Sequence, residues 1–160
     1  MNKNLHLVTL GLGHEIFAVP VSCVTEIVAM RALFRLPDAP GYLAGLADVR
    51  GQAVPIIDLR CRLGLPPTEI TYHTRIIVLE IPAGDHQLIV GLIADRVIEV
   101  ITLDAGQIGP PPDIGAPWGS GCISGIGRHA EGFVIIFNME SLFSGDVITH
   151  LSPVASERAA

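Results

Sequence analysis

The strongest constraint on the fold is the stretch Gly45–Leu59, which combines two apolar strands, a tight turn and a helix start. Gly51 lies between two polar residues and provides the turn, whereas Asp58 is a natural N-cap for the residues that follow. The stretch is therefore predicted to form a β-hairpin that leads into a short helix over Leu59–Leu63, which ends at Gly64.

The second half of the chain repeats this pattern. A shift of 80 positions preserves the glycine, the apolar strand and the helix cap: Gly45 with Gly125, Val54 with Val134, Ile56 with Ile136 and Asp58 with Asn138. A shift of 73 positions aligns an N-terminal hairpin with a later one: Gly11 with Gly84, Phe17 with Val90 and Val24–Ile27 with Val97–Val100. The chain is therefore predicted to contain two copies of one unit.

Each copy offers about five short strands and one helical turn, which are too few to bury both faces of a sheet unless the sheet curls. Because 49% of the residues are hydrophobic and only 16% are charged, the chain can bury a substantial core. The sequence predicts an all-β protein in which two small β-barrel subdomains pack together, with short helical segments. A single antiparallel sandwich is the alternative.

The predicted domain is one unit with two subdomains and a tail. The domain is predicted to span residues 1–151, with subdomains at approximately 20–72 and 73–145. The N-terminal strands, 5–19, and a C-terminal helix, 138–145, complete the barrels or cross between them. Residues 152–160 are predicted to be a loose tail.

Composition argues against nucleic acid and against membrane insertion. The net charge is -6, and the 10 Lys and Arg residues form no basic stripe. The sequence therefore shows no cluster of positive charge that would bind a phosphate backbone. The apolar run Leu88–Ala94 stops at Asp95, far short of the roughly 20 residues of a membrane-spanning helix. The N-terminus lacks the apolar stretch of a secretion signal, so a cytoplasmic protein is expected.

The sequence shows no catalytic, metal or cofactor motif. Cys23, Cys61 and Cys122 are isolated, which is typical of reduced, packed thiols, and the histidines lack ligand spacing. Ser120 and Ser124 are not flanked by the glycines of a nucleophile elbow. We therefore expect no catalytic residues, no metal and no cofactor.

Two charged residues stand out from their surroundings. Glu26 lies in an otherwise apolar run, and Arg50 flanks the hairpin turn of the repeated stretch. Each is either a solvated charge or one half of an ion pair. An exposed pair contributes only about 0–1 kcal/mol to stability, so such a pair would serve mainly to shape a docking surface.

Several motifs, in matching order and spacing, resemble those of the CheW-like chemotaxis coupling proteins. The most specific is the Arg-Gly turn followed by the Val-Pro-Ile-Ile-Asp-Leu run. The set is Val24-Thr25-Glu26-Ile27, Leu36-Pro37-Asp38-Ala39-Pro40, Gly45-Leu46, Val49-Arg50-Gly51, Val54-Pro55-Ile56-Ile57-Asp58-Leu59-Arg60, Ala94-Asp95-Arg96-Val97 and Gly125-Ile126.

This resemblance implies two SH3-like five-stranded β-barrel subdomains and a non-enzymatic adaptor. Such proteins couple the cytoplasmic tips of chemoreceptors, the methyl-accepting chemotaxis proteins, to the regulatory domain of the histidine kinase CheA. It also implies a cytoplasmic location in membrane-bound receptor arrays. By matched position, the resemblance places partner binding at Val24, Glu26, Arg50, Gly51 and Val97.

The sequence departs from the family pattern beside the motif arginine. Where the family usually has Asn-Leu-Arg-Gly, this chain has Asp48-Val49-Arg50-Gly51, which adds a negative charge. The competing functional hypothesis is a small ligand-binding or hydrolytic β-barrel protein with a cleft near Trp118, His129 and Glu131.

Overall fold

The computed structural model describes residues 4–39, 41–83, 86–110, 123–130 and 132–139. Most of these residues lie in strands, so the predicted all-β class is confirmed. The strands are β1 (Leu5–Leu12), β2 (Glu15–Pro20), β3 (Val24–Ala29), β4 (Leu43–Val49), β5 (Gln52–Asp58), β6 (Arg75–Ala83), β7 (His86–Ala94), β8 (Arg96–Leu103), β9 (Ile108–Gly109), β10 (Ile123–His129) and β11 (Gly132–Phe137). The helical segments are α1 (Leu59–Leu63) and two 3-10 turns, Val21–Cys23 and Ala105–Gln107.

The strands form two mixed sheets. The five-stranded sheet has the order β3-β6-β7-β5-β4, and the six-stranded sheet has the order β8-β1-β2-β11-β10-β9. Each contains one parallel pair, β5 with β7 and β2 with β11, which excludes the purely antiparallel sandwich. The expectation of five strands in each subdomain is corrected for the second sheet, because β9 adds a short sixth strand beside β10.

The two sheets exchange hairpins between the copies. The hairpin β6–β7 pairs with β3 and β5, although the sequence placed residues 73–145 together in the second subdomain. The hairpin β1–β2 pairs in turn with β8 and β11. Both hairpins have similar apolar alternation, so the local pattern does not specify which sheet each one joins. The expected helix 138–145 beyond Met139 and the tail lie outside the described residues.

The strand register agrees with the alignment shifted by 80 positions and revises the alignment shifted by 73 positions. Leu10 pairs with Phe17 in the first hairpin, and Leu79 pairs with Val90 in the second. Since Phe17 matches Val90, Leu10 corresponds to Leu79, and beyond this point the strands of the second hairpin pair over two more positions than those of the first. The predicted match of Gly11 with Gly84 is therefore not a structural one: Gly11 lies within β1, and Gly84 lies outside the described residues.

The repeated glycines share a structural reason. Gly45 has φ of +149°, and a Cβ added there would lie 2.6 Å from the carbonyl oxygen of Phe34. At the matching Gly125, a Cβ would lie 2.9 Å from the carbonyl oxygen of Gly109. The register shifts at both positions, beside Gly45 in β4 and beside Gly125 in β10. Each copy therefore needs a residue without a side chain where a neighbouring backbone approaches closely.

The apolar core has three layers. One smaller cluster lies on one face of the five-stranded sheet, and another lies on one face of the six-stranded sheet. The largest cluster contains residues of both sheets. In β6, for example, Ile76 and Val78 pack within the five-stranded sheet's own cluster, whereas Ile77 and Leu79 join the shared core. Alternation along the strand thus assigns one face to each sheet's interior and the other to the contact between sheets.

The helix α1 begins and ends as the sequence predicts. The side chain of Asp58 accepts hydrogen bonds from the backbone N–H groups of Arg60 and Cys61, at 3.0 and 3.5 Å. Gly64 closes the helix in the left-handed conformation, with φ of 77°. This short helix matters because it presents Arg60 to the other sheet.

An ion pair joins the two sheets where the chain crosses between them. Asp95 lies between β7 and β8, and its carboxylate accepts from Nε of Arg60 at 3.3 Å and pairs with Nη2 of the same residue. It also accepts from the backbone N–H of Gly13 at 2.7 Å, in the turn between β1 and β2. Arg96 donates to the Gly13 carbonyl at 3.2 Å. Asp95 therefore fastens α1 to a turn of the six-stranded sheet.

The surroundings of Asp95 favour its charged form. Burial raises the pKa of the Asp95 carboxyl, but the hydrogen bonds from Arg60 and Gly13 and the charges of Arg60 and Arg96 lower it by more. The pKa therefore lies below its ordinary value, and ionised Asp95 stabilises the folded state.

Replacing Phe17 tests the shared core. Phe17 is 4% exposed and stacks on Phe137, with ring centroids 5.1 Å apart. We expect Phe17→Ala to lower the free energy of unfolding by about 3–5 kcal/mol, because it removes a buried ring and leaves a cavity. Phe133→Ala is the matched control: this ring is 60% exposed, so its loss is expected to cost less than about 1 kcal/mol. Equal losses in denaturant unfolding would contradict the assignment.

The ion pair at Asp95 predicts a pH dependence of stability. Asp95→Asn should lower the free energy of unfolding by about 1 kcal/mol at pH 7, because it weakens charge-assisted hydrogen bonds. The folded-state pKa lies below the unfolded value of about 3.9, so the stabilisation is present above that pH and is lost as the pH falls through the folded-state pKa.

Denaturant unfolding of the wild type and Asp95→Asn across a pH series measures this effect. The difference between them should shrink as the pH falls below about 4. Glu80→Gln, at an exposed position of β6, is the control and should stay within about 0.5 kcal/mol of the wild type. A difference for Asp95→Asn that is the same at pH 2 as at pH 7 would show that the carboxylate charge is not the cause.

Candidate functional site

The two charged residues singled out in the sequence form an ion pair. Nε of Arg50 donates to both carboxylate oxygens of Glu26, at 3.1 and 3.2 Å. The Glu26 side chain is 26% exposed and that of Arg50 is 80% exposed. The glutamate is therefore held against the sheet, whereas the guanidinium presents most of its surface to solvent.

This ion pair connects opposite edges of the five-stranded sheet. Glu26 lies on β3 at one edge, and Arg50 follows β4 at the other edge. Arg31, just after β3, adds a second link, because its Nη1 donates to the carbonyl of Asp48 at 3.1 Å. The sheet must curl for these contacts to form, in agreement with a small barrel. The site thus lies where the barrel closes.

The hairpin turn determines where Arg50 points. Val49 pairs with Gln52, so the turn contains two residues, and both have positive φ: 55° at Arg50 and 80° at Gly51. This is the geometry of a type I′ turn, which favours glycine at its second position. Oδ1 of Asp48 accepts from the N–H of Gly51 at 2.9 Å. The side chain of Asp48 therefore stabilises the turn.

The five residues assigned to partner binding do not all lie together. Glu26, Arg50 and Gly51 meet at the closure of the first barrel, and Val24 lies on the same strand as Glu26. Val24 is half-buried and packs against the shared core. Val97, in β8 of the other sheet, is also half-buried and packs against the shared core. It corresponds to Val24 in the alignment shifted by 73 positions.

A contact between a histidine and a glutamate occupies the corresponding place in the six-stranded sheet. Nε2 of His129 lies 3.4 Å from Oε2 of Glu99. The shift of 73 positions places Glu26 on Glu99, and the shift of 80 positions places Arg50 on Ala130, which also has φ of 55°. Sequence reasoning missed this pair because the arginine is absent and the neighbouring histidine replaces it. The repeated glutamate was the available signal.

A cavity of about 280 Å³ lies beside the second pair. Its lining includes Glu99, His129 and the exposed ring of Phe133. Of the cleft expected near Trp118, His129 and Glu131, only His129 lies among the described residues.

The described residues contain little that is suited to catalysis. Burial raises the pKa of the Cys23 thiol more than its hydrogen bond with Ser22 lowers it, so this thiol stays protonated and is a poor nucleophile. In the same part of the chain, no group of three or more His, Cys, Asp and Glu side chains is arranged to hold a metal ion. No described helix has the length and apolar character needed to cross a bilayer.

Comparison with known proteins agrees with this geometry. The family model described as "CheW-like domain" matches residues 6–147. The chain is 30% identical to "Chemotaxis protein CheW" of Klebsiella aerogenes over 144 residues, which cover 90% of this chain and 84% of that protein. It is also 30% identical to "Probable chemotaxis protein CheW" of Rhizobium etli, with 86% of each chain covered.

A solved structure shows the same fold. The crystal structure of scaffolding protein TtCheW from Thermoanaerobacter tengcongensis superposes with a TM-score of 0.79 at 28% sequence identity, and the match covers 91% of each chain. These matches lead to one assignment: the chain belongs to the CheW-like family, whose members act as scaffolds in chemotaxis and not as enzymes.

Proposed function

We propose that this protein is an adaptor that couples the cytoplasmic tips of chemoreceptors to the histidine kinase CheA. The observation that carries the proposal is the Glu26–Arg50 pair, whose guanidinium is 80% exposed at the closure of the first barrel. A well-placed but solvent-facing arginine suits recognition better than stability, since exposed pairs contribute only about 0–1 kcal/mol. The family assignment supports the same role.

The adaptor binds two partners through different surfaces. One edge of the first barrel contacts the regulatory domain of the kinase, and a groove between the subdomains takes the receptor tip. Glu26, Arg50 and Gly51 contribute to one of these two surfaces. Val24 and Val97 contribute from the half-buried positions where each edge strand meets the shared core. Simultaneous binding makes the kinase's active population depend on the state of the receptor.

This proposal places the protein in the cytoplasm, in association with membrane-bound receptor arrays. Its partners are proteins, so it needs neither a cofactor nor a metal ion for coupling. The competing ligand-binding or hydrolytic function has less support, because the matched family and the superposed structure are those of scaffolding proteins.

Replacing Arg50 tests the coupling surface. Arg50→Ala should fold normally, because the side chain is mostly exposed, and its loss should weaken binding to the kinase regulatory domain or the receptor tip by about tenfold. Isothermal titration calorimetry with each purified partner measures the affinity, and thermal unfolding measures the stability. Arg128→Ala, which removes an exposed arginine from β10, is the control and should leave both affinities within about twofold.

Glu26→Gln separates two roles for the arginine. If the glutamate only positions Arg50, the neutral variant should weaken binding less than Arg50→Ala, because the guanidinium remains available to the partner. Unchanged binding of both partners to Arg50→Ala would contradict the proposal. Loss of the folded state in that variant would show instead that the arginine is structural.

A further inference from the structure

A separate cleft of about 630 Å³ lies beyond the end of β3, between residues 29–32 and 70–75. Among the described residues that line it, Arg31 and Arg75 are the charged ones. This is unusual in a chain whose net charge is -6 and which contains only 10 Lys and Arg residues. The cleft is therefore a local positive site on an otherwise acidic protein.

Backbone carbonyls hold both guanidinium groups in place. Arg31 donates from Nε to the Ala29 carbonyl at 3.2 Å and from Nη1 to the Asp48 carbonyl at 3.1 Å. Arg75 donates from Nη1 to the carbonyls of Tyr72 and Thr74, at 2.8 and 3.0 Å. A guanidinium has five N–H donors, so each arginine keeps further donors for an anionic partner.

Two acidic residues near Arg31 have other partners. Glu26, five residues earlier in the chain, pairs with Arg50, and the carboxylate of Asp48 accepts from the N–H of Gly51. Among the described ion pairs, none involves Arg31 or Arg75. No described ion pair therefore offsets the positive charge of the cleft.

The cleft is open and partly apolar. Ile70 is 64% exposed and Tyr72 is 86% exposed, and most of the other lining residues are exposed as well. Sites for small molecules usually bury most of the ligand, which such an open cleft does not do. Exposed tyrosine, isoleucine and arginine side chains are instead typical of surfaces that bind proteins.

We propose that this cleft binds an acidic, apolar segment of a partner protein. Carboxylates of the segment pair with Arg31 and Arg75, and an apolar side chain packs on Tyr72 and Ile70. This surface adjoins the closure of the first barrel, because Arg31 also bonds the Asp48 carbonyl, but it does not include Glu26 or Arg50. It gives the adaptor an additional contact whose specificity comes from charge.

A peptide titration tests the proposal directly. The probe is a synthetic peptide in which Glu alternates with Leu and Phe, and the matched peptide has Gln in place of every Glu. Two-dimensional amide NMR of the full chain should show saturable shifts at residues 29–32 and 70–75. The Gln peptide should bind at least about tenfold more weakly, because it lacks the charges.

Variants of the protein identify the side chains involved. Arg31→Gln and Tyr72→Ala should each weaken binding of the acidic peptide by about fivefold or more. Tyr72→Ala is included because an exposed side chain can be removed without loss of the fold, which the amide spectrum checks. Arg35→Gln is the control: it removes the same charge from an exposed position outside the cleft and should leave the affinity within about twofold.

Three results would overturn the proposal. The first is equal weakening by Arg35→Gln and Arg31→Gln, which would show a general charge effect. The second is a set of shifts that falls outside the cleft, and the third is binding of inorganic phosphate with the same shifts and affinity as the peptide. Neither kinase nor receptor is present, so failure here is distinct from failure of Arg50→Ala.

Discussion

Curling of each sheet is the constraint on which the rest of the structure depends. A sheet of five or six strands with one apolar cluster on each face would leave its edges open if it stayed flat. Because the five-stranded sheet curls, β3 and the turn after β4 meet although they lie at opposite edges. The Glu26–Arg50 pair is a consequence of that curling, and the Glu99–His129 pair corresponds to it in the other sheet.

The exchange of hairpins explains how two small barrels form one unit. The chain leaves the six-stranded sheet after β2 and returns to it at Asp95, so β3 to β7 form the five-stranded sheet and the six-stranded sheet combines strands from before and after that stretch. The shared core then buries a face of both sheets, with the stacked rings of Phe17 and Phe137 inside it. The Arg60–Asp95 pair lies at one crossing and fastens a helix of one sheet to a turn of the other.

The proposed function depends on the side chains that this arrangement leaves exposed. Buried positions are similar in the two copies because each barrel needs the same apolar interior, as with Ile56 and Ile136. The exposed positions differ: arginine at the first turn is replaced by alanine and a neighbouring histidine at the second. Two similar barrels thereby offer different surfaces, which is what the proposed coupling of two different partners requires.

The sequence by itself determined the strands, the repeated unit, the capped helix and the family. Alternation of apolar residues, the turn at Gly51 and the cap at Asp58 are local, and each acts within a few residues. The motif residues also pointed correctly to Glu26 and Arg50 as unusual charges. Only the tertiary structure decided that these two side chains pair, because their contact needs a closed barrel.

The tertiary structure also decided which hairpin joins which sheet. The two hairpins carry nearly the same apolar pattern, and a parallel contact such as Ile56 with Gly91 is made between segments far apart in the sequence. The cleft with Arg31 and Arg75 depends on such distant contacts as well, since β4, β5 and α1 separate its two sides in the chain. Local physical chemistry specifies the elements, whereas packing between distant segments specifies the surfaces that they form.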